Sequence, residues 1–405
     1  MSGMSSNRAA WMVAVHRARV RQHGLLNPAP LEAKAVSVSG ATVSAPGESP
    51  AVTLAECRCV GEVRTPPYPS GIAVSAVLGI LAVSSWEGVV SLFTMSPSGG
   101  FVPKAVLGNE DGGSTGSMLE FDCGAGDKLA FTVPADSHAR PTLLVAESRN
   151  HRVQEVDVIS CTWVGYLYPP GAIRGPCGLA ATARYIAVST VQQADSGDDS
   201  EELSVESWLS EEDNDFVEEG VVDRWPAHAA SAAPGPGAGG SGADHSVHLF
   251  DAVTRCHLWH VDGAPGPGGY LPQFDTPLGV RIVSGGAHVA VADHNNQRIV
   301  VLSAADGSAV AHTPLPVRPW DVEECAGGWL VCGCGEDGRR FAVVAVDAAG
   351  AGHDALGGTH PRWHGSAMVL VPRVGLVVAD RRRHRVHWQV SGRVLCDQRS
   401  REIGC

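Results

Sequence analysis

The sequence predicts an all-β fold: a six-bladed β-propeller of four-stranded antiparallel blades, interrupted by one acidic insertion expected to be disordered. Three observations predict it. An acid, four intervening residues and an arginine recur inside three otherwise apolar strand pairs. Weaker copies fill the gaps, giving a period of roughly 42 to 57 residues, the spacing of a four-stranded blade. Finally, 48 glycines and 26 prolines in 405 residues call for many turns, as a fold of many short strands does.

The three clear copies are LLVAESRNHRVQEVD at 143–157, HVAVADHNNQRIVVL at 288–302 and VGLVVADRRRHRVHW at 374–388. Each opens with an apolar, β-branched run that reads as a buried strand. The polar tetrad that follows reads as a hairpin turn, and the arginine opens the returning strand. The pairs Glu147/Arg152, Asp293/Arg298 and Asp380/Arg385 then face each other across the hairpin. A carboxylate and a guanidinium so placed orient the turn, so these six residues are expected to be structural.

Weaker copies run from Ser70 to Phe93, with Ser84 and Val89 in place of the acid and arginine, from Pro176 to Asp251, and from Arg318 to Asp347. Units beginning near residues 69, 119, 176, 277, 319 and 364 give six blades, with LEFD (119–122) as the inner strand of the second. A blade cannot bury both faces alone, so six must close a ring. Val52–Val63 is the candidate for a strand that latches it. The expected organisation is a basic tail or transit segment over 1–50, the propeller over 51–398 and a C-terminal tail over 399–405.

The net charge of −13 is local: residues 191–243 hold 13 acids against the single base Arg224, so the body is near neutral. This stretch replaces the turn between the second and third strands of the third blade. It ends in the linker-like Gly235–Ala243, which lacks the Lys-Ser/Thr of a phosphate loop. Leu203, Val205, Trp208, Leu209, Phe216 and Val217 are interleaved with its acids, a pattern of segments that dock on binding. The same turn in other blades carries Trp86, then Arg149, Asn150 and His151, then His294 and Asn295, then Arg381, Arg382 and Arg383. These residues form the expected binding face; the insertion reads as a passive low-complexity segment, the alternative being that it folds over the Arg381–Arg383 run in competition with an anionic ligand.

A near-neutral body argues against DNA and makes RNA the lesser alternative to a protein or peptide partner. The 11 cysteines form CxC pairs (Cys57/Cys59 and Cys332/Cys334) but no CxxC, so neither a zinc module nor a disulfide framework is expected, only thiols in a reducing compartment. No apolar run is long enough to span a membrane. Residues 1–31 carry Arg8, Arg17, Arg19 and Arg21 without an acid, so a cytoplasmic location is expected, with a mitochondrial or plastid transit segment as the alternative.

The strings LLVAESRNHRVQEV, VAVADHNNQRIVVL and LVVADRRRHRVHW resemble the NHL repeat, and with the weaker copies the resemblance spans about 65–398. It implies a six-bladed ring and three directions of function. One is the substrate- or RNA-binding head of tripartite-motif ubiquitin ligases, whose RING and B-box this chain lacks. The others are lyases and lactonases of six-bladed type, with a metal in the central channel. Inward candidates for such a metal are Glu120, Asp122, Asp321 and His364, which come from separate blades without recurrent placement. Other histidines sit in turns (His151, His294, His384), where they read as solvated, or on outer strands (His257, His260). The reading that results is a non-enzymatic scaffold without catalytic residues, metal or cofactor. The alternatives are a metal-dependent hydrolase or lyase and an RNA-binding NHL module.

Overall fold

The computed structural model describes residues 58–390 except 97–99, 109–120, 122–127, 135–138, 192–244, 264–272, 326–327, 336–340, 348–351, 355–364 and 372–373. The acidic insertion, the 1–50 tail, the 399–405 tail and the candidates Glu120, Asp122 and His364 therefore lie outside the described residues.

The fold is a six-bladed ring of four-stranded antiparallel sheets. The chain enters on β1 (Arg58–Arg64) and builds blade one from β2 (Pro69–Ser75), β3 (Ile80–Ser85), β4 (Val89–Met95) and β5 (Phe101–Gly108). Blade two is β6 (Leu129–Phe131), β7 (Leu143–Glu147), β8 (Arg152–Asp157) and β9 (Thr162–Tyr166). Blade three is β10 (Pro176–Ala181), β11 (Tyr185–Val191), β12 (His245–Asp251) and β13 (His257–Gly263). Blade four is β14 (Pro277–Val283), β15 (His288–Asp293), β16 (Arg298–Ser303) and β17 (Ala309–Pro314). Blade five is β18 (Arg318–Cys325), β19 (Gly328–Cys334), β20 (Phe341–Asp347) and β21 (Gly352–Asp354). Blade six is β22 (Gly365–Val371), β23 (Gly375–Asp380) and β24 (Arg385–Val390), completed by β1 as its outermost strand. Glu62 pairs with His387 and Arg64 with Arg385 in that closing ladder. Inner strands touch in the cyclic order β2, β6, β10, β14, β18, β22 and back to β2.

One boundary differs from the sequence reading. The inner strand of blade two is Leu129–Phe131, not 119–122. Phe121 instead lies outside any strand, fully buried among Leu107, Leu129 and Val145 between blades one and two.

The core is a set of layers between blades. In β15, Val289 and Val291 face blade three while Ala290 and Ala292 face blade five. In β7, Leu143 and Val145 face blade one while Leu144 and Ala146 face blade three. A strand with both faces buried shows an unbroken apolar run rather than alternation, which is why these segments read as they do.

Inner strands are sheet edges, and their outward carbonyls need donors. Neighbouring blades supply them. Ser189 Oγ donates to Leu278 O at 2.6 Å, Ser366 Oγ to Pro69 O at 2.6 Å, and Lys128 N–H to Cys177 O at 2.7 Å. Five of the inner strands carry a register shift near their start, among them Pro176/Gly178 and Gly365/Ala367. The backbones come close there: a Cβ at Gly178 would lie 2.1 Å from Leu278 O.

Candidate functional site

All blades share one strand order, so the turns from second to third strand share one rim of the ring. Two of them are built alike. Glu147, fully buried, receives Arg152 Nε at 3.0 Å and Nη2 at 2.9 Å, and Asn150 Nδ2 at 2.7 Å. Asp293, fully buried, receives Arg298 Nε at 2.7 Å and Asn296 Nδ2 at 2.9 Å. At Glu147 the guanidinium is bidentate; at Asp293 it donates through Nε, and the other carboxylate oxygen takes the Asp275 N–H at 2.8 Å, so each acid, with its turn amide, fixes the hairpin.

The third hairpin departs from the expected pairing. Asp380 and Arg385 are opposite in register, yet the Arg385 guanidinium goes to Glu62 of β1. The latch strand, which the other two hairpins lack, places a carboxylate beside Arg385. Asp380 keeps the Arg383 backbone N–H at 3.2 Å and His387 Nε2 at 3.5 Å.

The fourth residue after each acid is His151, Gln297 or His384, with φ of 51°, 50° and 52°. Left-handed backbone there closes the turn. It also aims both rings at the next blade: His151 Nδ1 accepts the Gly175 N–H, and His384 Nδ1 the Tyr68 N–H, each at 3.1 Å. His151 is thus a clip between blades as well as a rim residue.

Where blades six and one meet, the rim becomes aromatic and cationic. The Arg381 guanidinium lies 4.1 Å from the Trp86 ring centroid and 5.9 Å from that of Tyr68. Tyr68 packs against Trp86 at 6.1 Å and edge-on to His384 at 5.1 Å. Burial pushes the Arg381 guanidinium down to about 10. Arg381 Nη2 and Trp86 Nε1 are both buried, and neither has a hydrogen-bond partner among the described residues. Arg382, Arg383 and, further round, Arg149 are exposed. Tyr68 was not apparent from the sequence, because it precedes β2 and reaches the rim only through ring closure. Asn295 is half-buried, its Nδ2 held by Asp275 Oδ1 and Thr276 Oγ1 at 2.9 Å each.

His294 does not line the face. It is fully buried, edge-on to Trp320 at 5.1 Å, with Nδ1 3.1 Å from Pro319 O. The carbonyl fixes Nδ1 as the protonated nitrogen and leaves Nε2 buried without a partner among the described residues. Burial pushes its pKa down from 6.5 to about 4. The unfolded chain therefore binds a proton near pH 6.5 that the native state refuses until about pH 4. Stability falls as pH drops through that window, by about 3 kcal/mol at its acid end. His294→Gln should flatten the dependence of the urea midpoint on pH between 7.5 and 4.5; an unchanged slope would count against this account.

The channel candidate Asp321 is already committed. Arg281 Nη2 meets Asp321 Oδ2 at 3.0 Å and Met368 O at 2.9 Å, while its Nε meets Glu323 Oε2 at 2.7 Å. Burial opposes the Arg281 charge, but Asp321 and Glu323 outweigh it and hold the group above the usual arginine range. The Lys128 ammonium, 2% exposed, donates to Ser70 O at 3.2 Å and to Ser366 O. A hard cation needs several converging oxygens; here a guanidinium holds the carboxylate and an ammonium takes carbonyls of two blades. Among the described residues the channel does not fit the metal that the resemblance implies.

None of Cys161, Cys177, Cys256, Cys325, Cys332 and Cys334 is in a disulfide. Cys332 is fully buried, and burial pushes its thiol up to about 12. Among the described residues no helix is long and apolar enough to cross a membrane.

No protein-family model matches the chain, and no curated protein matches it. Among solved structures it is similar to a chain of the nidogen/laminin complex, at 11% identity and a TM-score of 0.42, over 71% of this chain and 78% of that one. It is also similar to hydrazine synthase from Kuenenia stuttgartiensis, at 15% identity and a TM-score of 0.34, over 56% of this chain and 47% of that one.

Proposed function

We propose that the chain is an NHL-type propeller scaffold that binds an acidic segment of a protein or peptide partner on its turn-bearing rim. The observation that carries this reading is the stack of Arg381 on Trp86, with an unpartnered donor on each side chain. Tryptophan and arginine dominate binding hot spots because each combines a large apolar face with directed donors. A partner segment that displaces what covers Nη2 and Nε1 would bring carboxylate acceptors to these donors, and exposed Arg382 and Arg383 would draw it in. The buried pairs at Glu147/Arg152 and Asp293/Arg298 support the NHL reading, since they give the recurrent acid and arginine a shared structural task.

The test is selection of phage-displayed peptides on the immobilised full-length chain, followed by affinity measurement for the enriched sequences. Acidic peptides with an aromatic or aliphatic anchor are expected. Arg381→Ala should weaken them roughly tenfold or more. The Arg382→Glu variant, altered only at an exposed position, should weaken them with an unchanged melting temperature. Peptides indifferent to both variants would refute the reading. Preference for a single-stranded RNA oligonucleotide, lost in the same variants, would replace it with the RNA-binding alternative.

A further inference from the structure

We propose that His248, His257 and His260 form a site for a transition-metal ion of zinc(II) or copper(II) character on the outer half of blade three, with one coordination position left open. This is independent of the rim.

The site depends on a bulge. His248 on β12 is directly opposite His260 on β13, Leu249 opposite Trp259, and Phe250 opposite His257, so Leu258 has no partner. In an unbroken strand, residues three apart point to opposite faces. The extra residue returns His257 to the face of His260, and His248 shares that face through its register. The ring centroids then form a nearly equilateral triangle: 5.4 Å between His248 and His257, 5.5 Å between His248 and His260, 5.6 Å between His257 and His260.

One ligand nitrogen from each ring lies within 4.8 Å of the other two. Tetrahedral zinc with bonds of about 2.0–2.1 Å sets its nitrogens about 3.4 Å apart. Rotations that shift ring atoms by about an ångström would close the set, and His257 and His260 are exposed and open to such rotation. His248 Nδ1 is already 3.2 Å from His257 Nε2.

The surroundings suit ligation. Ser246 Oγ lies 2.9 Å from His248 Nε2 and is itself held by Thr190 Oγ1 at 2.7 Å. With Nε2–H donated to that hydroxyl, the Nδ1 lone pair faces the centre of the triangle, as an outer-shell acceptor orients a metal-bound imidazole. Asp262 Oδ2 lies 3.3 Å from His260 Nε2 and brings a carboxylate to the edge of the site. Three imidazoles select zinc or copper over calcium or magnesium, which prefer all-oxygen shells. Three protein ligands leave a fourth position for water or an incoming group.

The experiment uses the full-length chain, treated with chelator and titrated with zinc chloride by calorimetry and with cobalt(II) by visible absorption. One equivalent should bind with a dissociation constant on the order of micromolar. The cobalt complex should show a tetrahedral spectrum without a thiolate charge-transfer band, which separates this site from the cysteines. Saturating zinc should raise the melting temperature by several degrees. The His257→Ala/His260→Ala variant changes only exposed rings, so its metal-free melting temperature should match the parent. Its zinc affinity should fall at least roughly 100-fold, and the zinc-induced shift should vanish. Equal zinc affinity in parent and variant, a thiolate band at the first equivalent, or no binding up to about millimolar zinc would each overturn the proposal.

Discussion

Replacing Arg281 by methionine is expected to destabilise the propeller by about 3–5 kcal/mol, the usual consequence of stripping one partner from a buried ion pair. The guanidinium joins three blades: it belongs to β14, holds Asp321 and Glu323 of β18, and donates to Met368 O of β22. Methionine keeps the stem's packing but leaves Asp321, 1% exposed, without its cation. The deficit should shrink as pH falls through the range where Glu323, whose carboxyl burial holds above its usual value, takes up a proton and gives up its uncompensated charge. Adding Asp321→Asn and Glu323→Gln should recover much of the loss. Urea midpoints of the three forms at pH 7.5 and 5 provide the check. A single variant within 1 kcal/mol of the parent would mean that the channel charges are solvated rather than structural.

The second large effect belongs to the hairpin of blade two. Glu147→Gln should cost about 3–5 kcal/mol, because it leaves the Arg152 guanidinium, 4% exposed, facing a neutral amide. Arg152→Met should cost a similar amount by isolating a fully buried carboxylate. Glu147→Gln combined with Arg152→Met should cost less than either single change, since the pair then leaves no buried charge. The coupling read from the complete cycle isolates the pair from its surroundings. Costs that simply add would show that the recurrent acid and arginine act separately, and the structural reading of the motif would fall.

Much of the architecture was legible because it is local. The acid-to-arginine interval spans one hairpin, and two-sided burial shows as an unbroken apolar run at LLVA, VAVA and LVVA. What escaped depends on partners distant in the chain. Leu129–Phe131 is too short to carry a periodic signal, while the longer LEFD string drew the assignment toward Phe121, a buried core residue outside any strand. His294 sits among polar turn residues, and only Trp320 and Pro319 of the next blade bury it. Arg385 turns from Asp380 because of Glu62, 323 positions away. The histidine triad was hidden by one bulged residue: on strict alternation, His257 and His260 belong to opposite faces.

The pairing of β1 with β24 sets an order of assembly. A ribosome delivers β1 first and its partner last. Throughout synthesis the first strand waits without its ladder, while the growing arc presents the bare inter-blade face of its newest sector. Closing the circle joins residues more than three hundred positions apart, an entropic demand that rises only slowly with length but is met late. The nascent arc is therefore the form most exposed to aggregation, and the stage at which a chaperone would have most to shield.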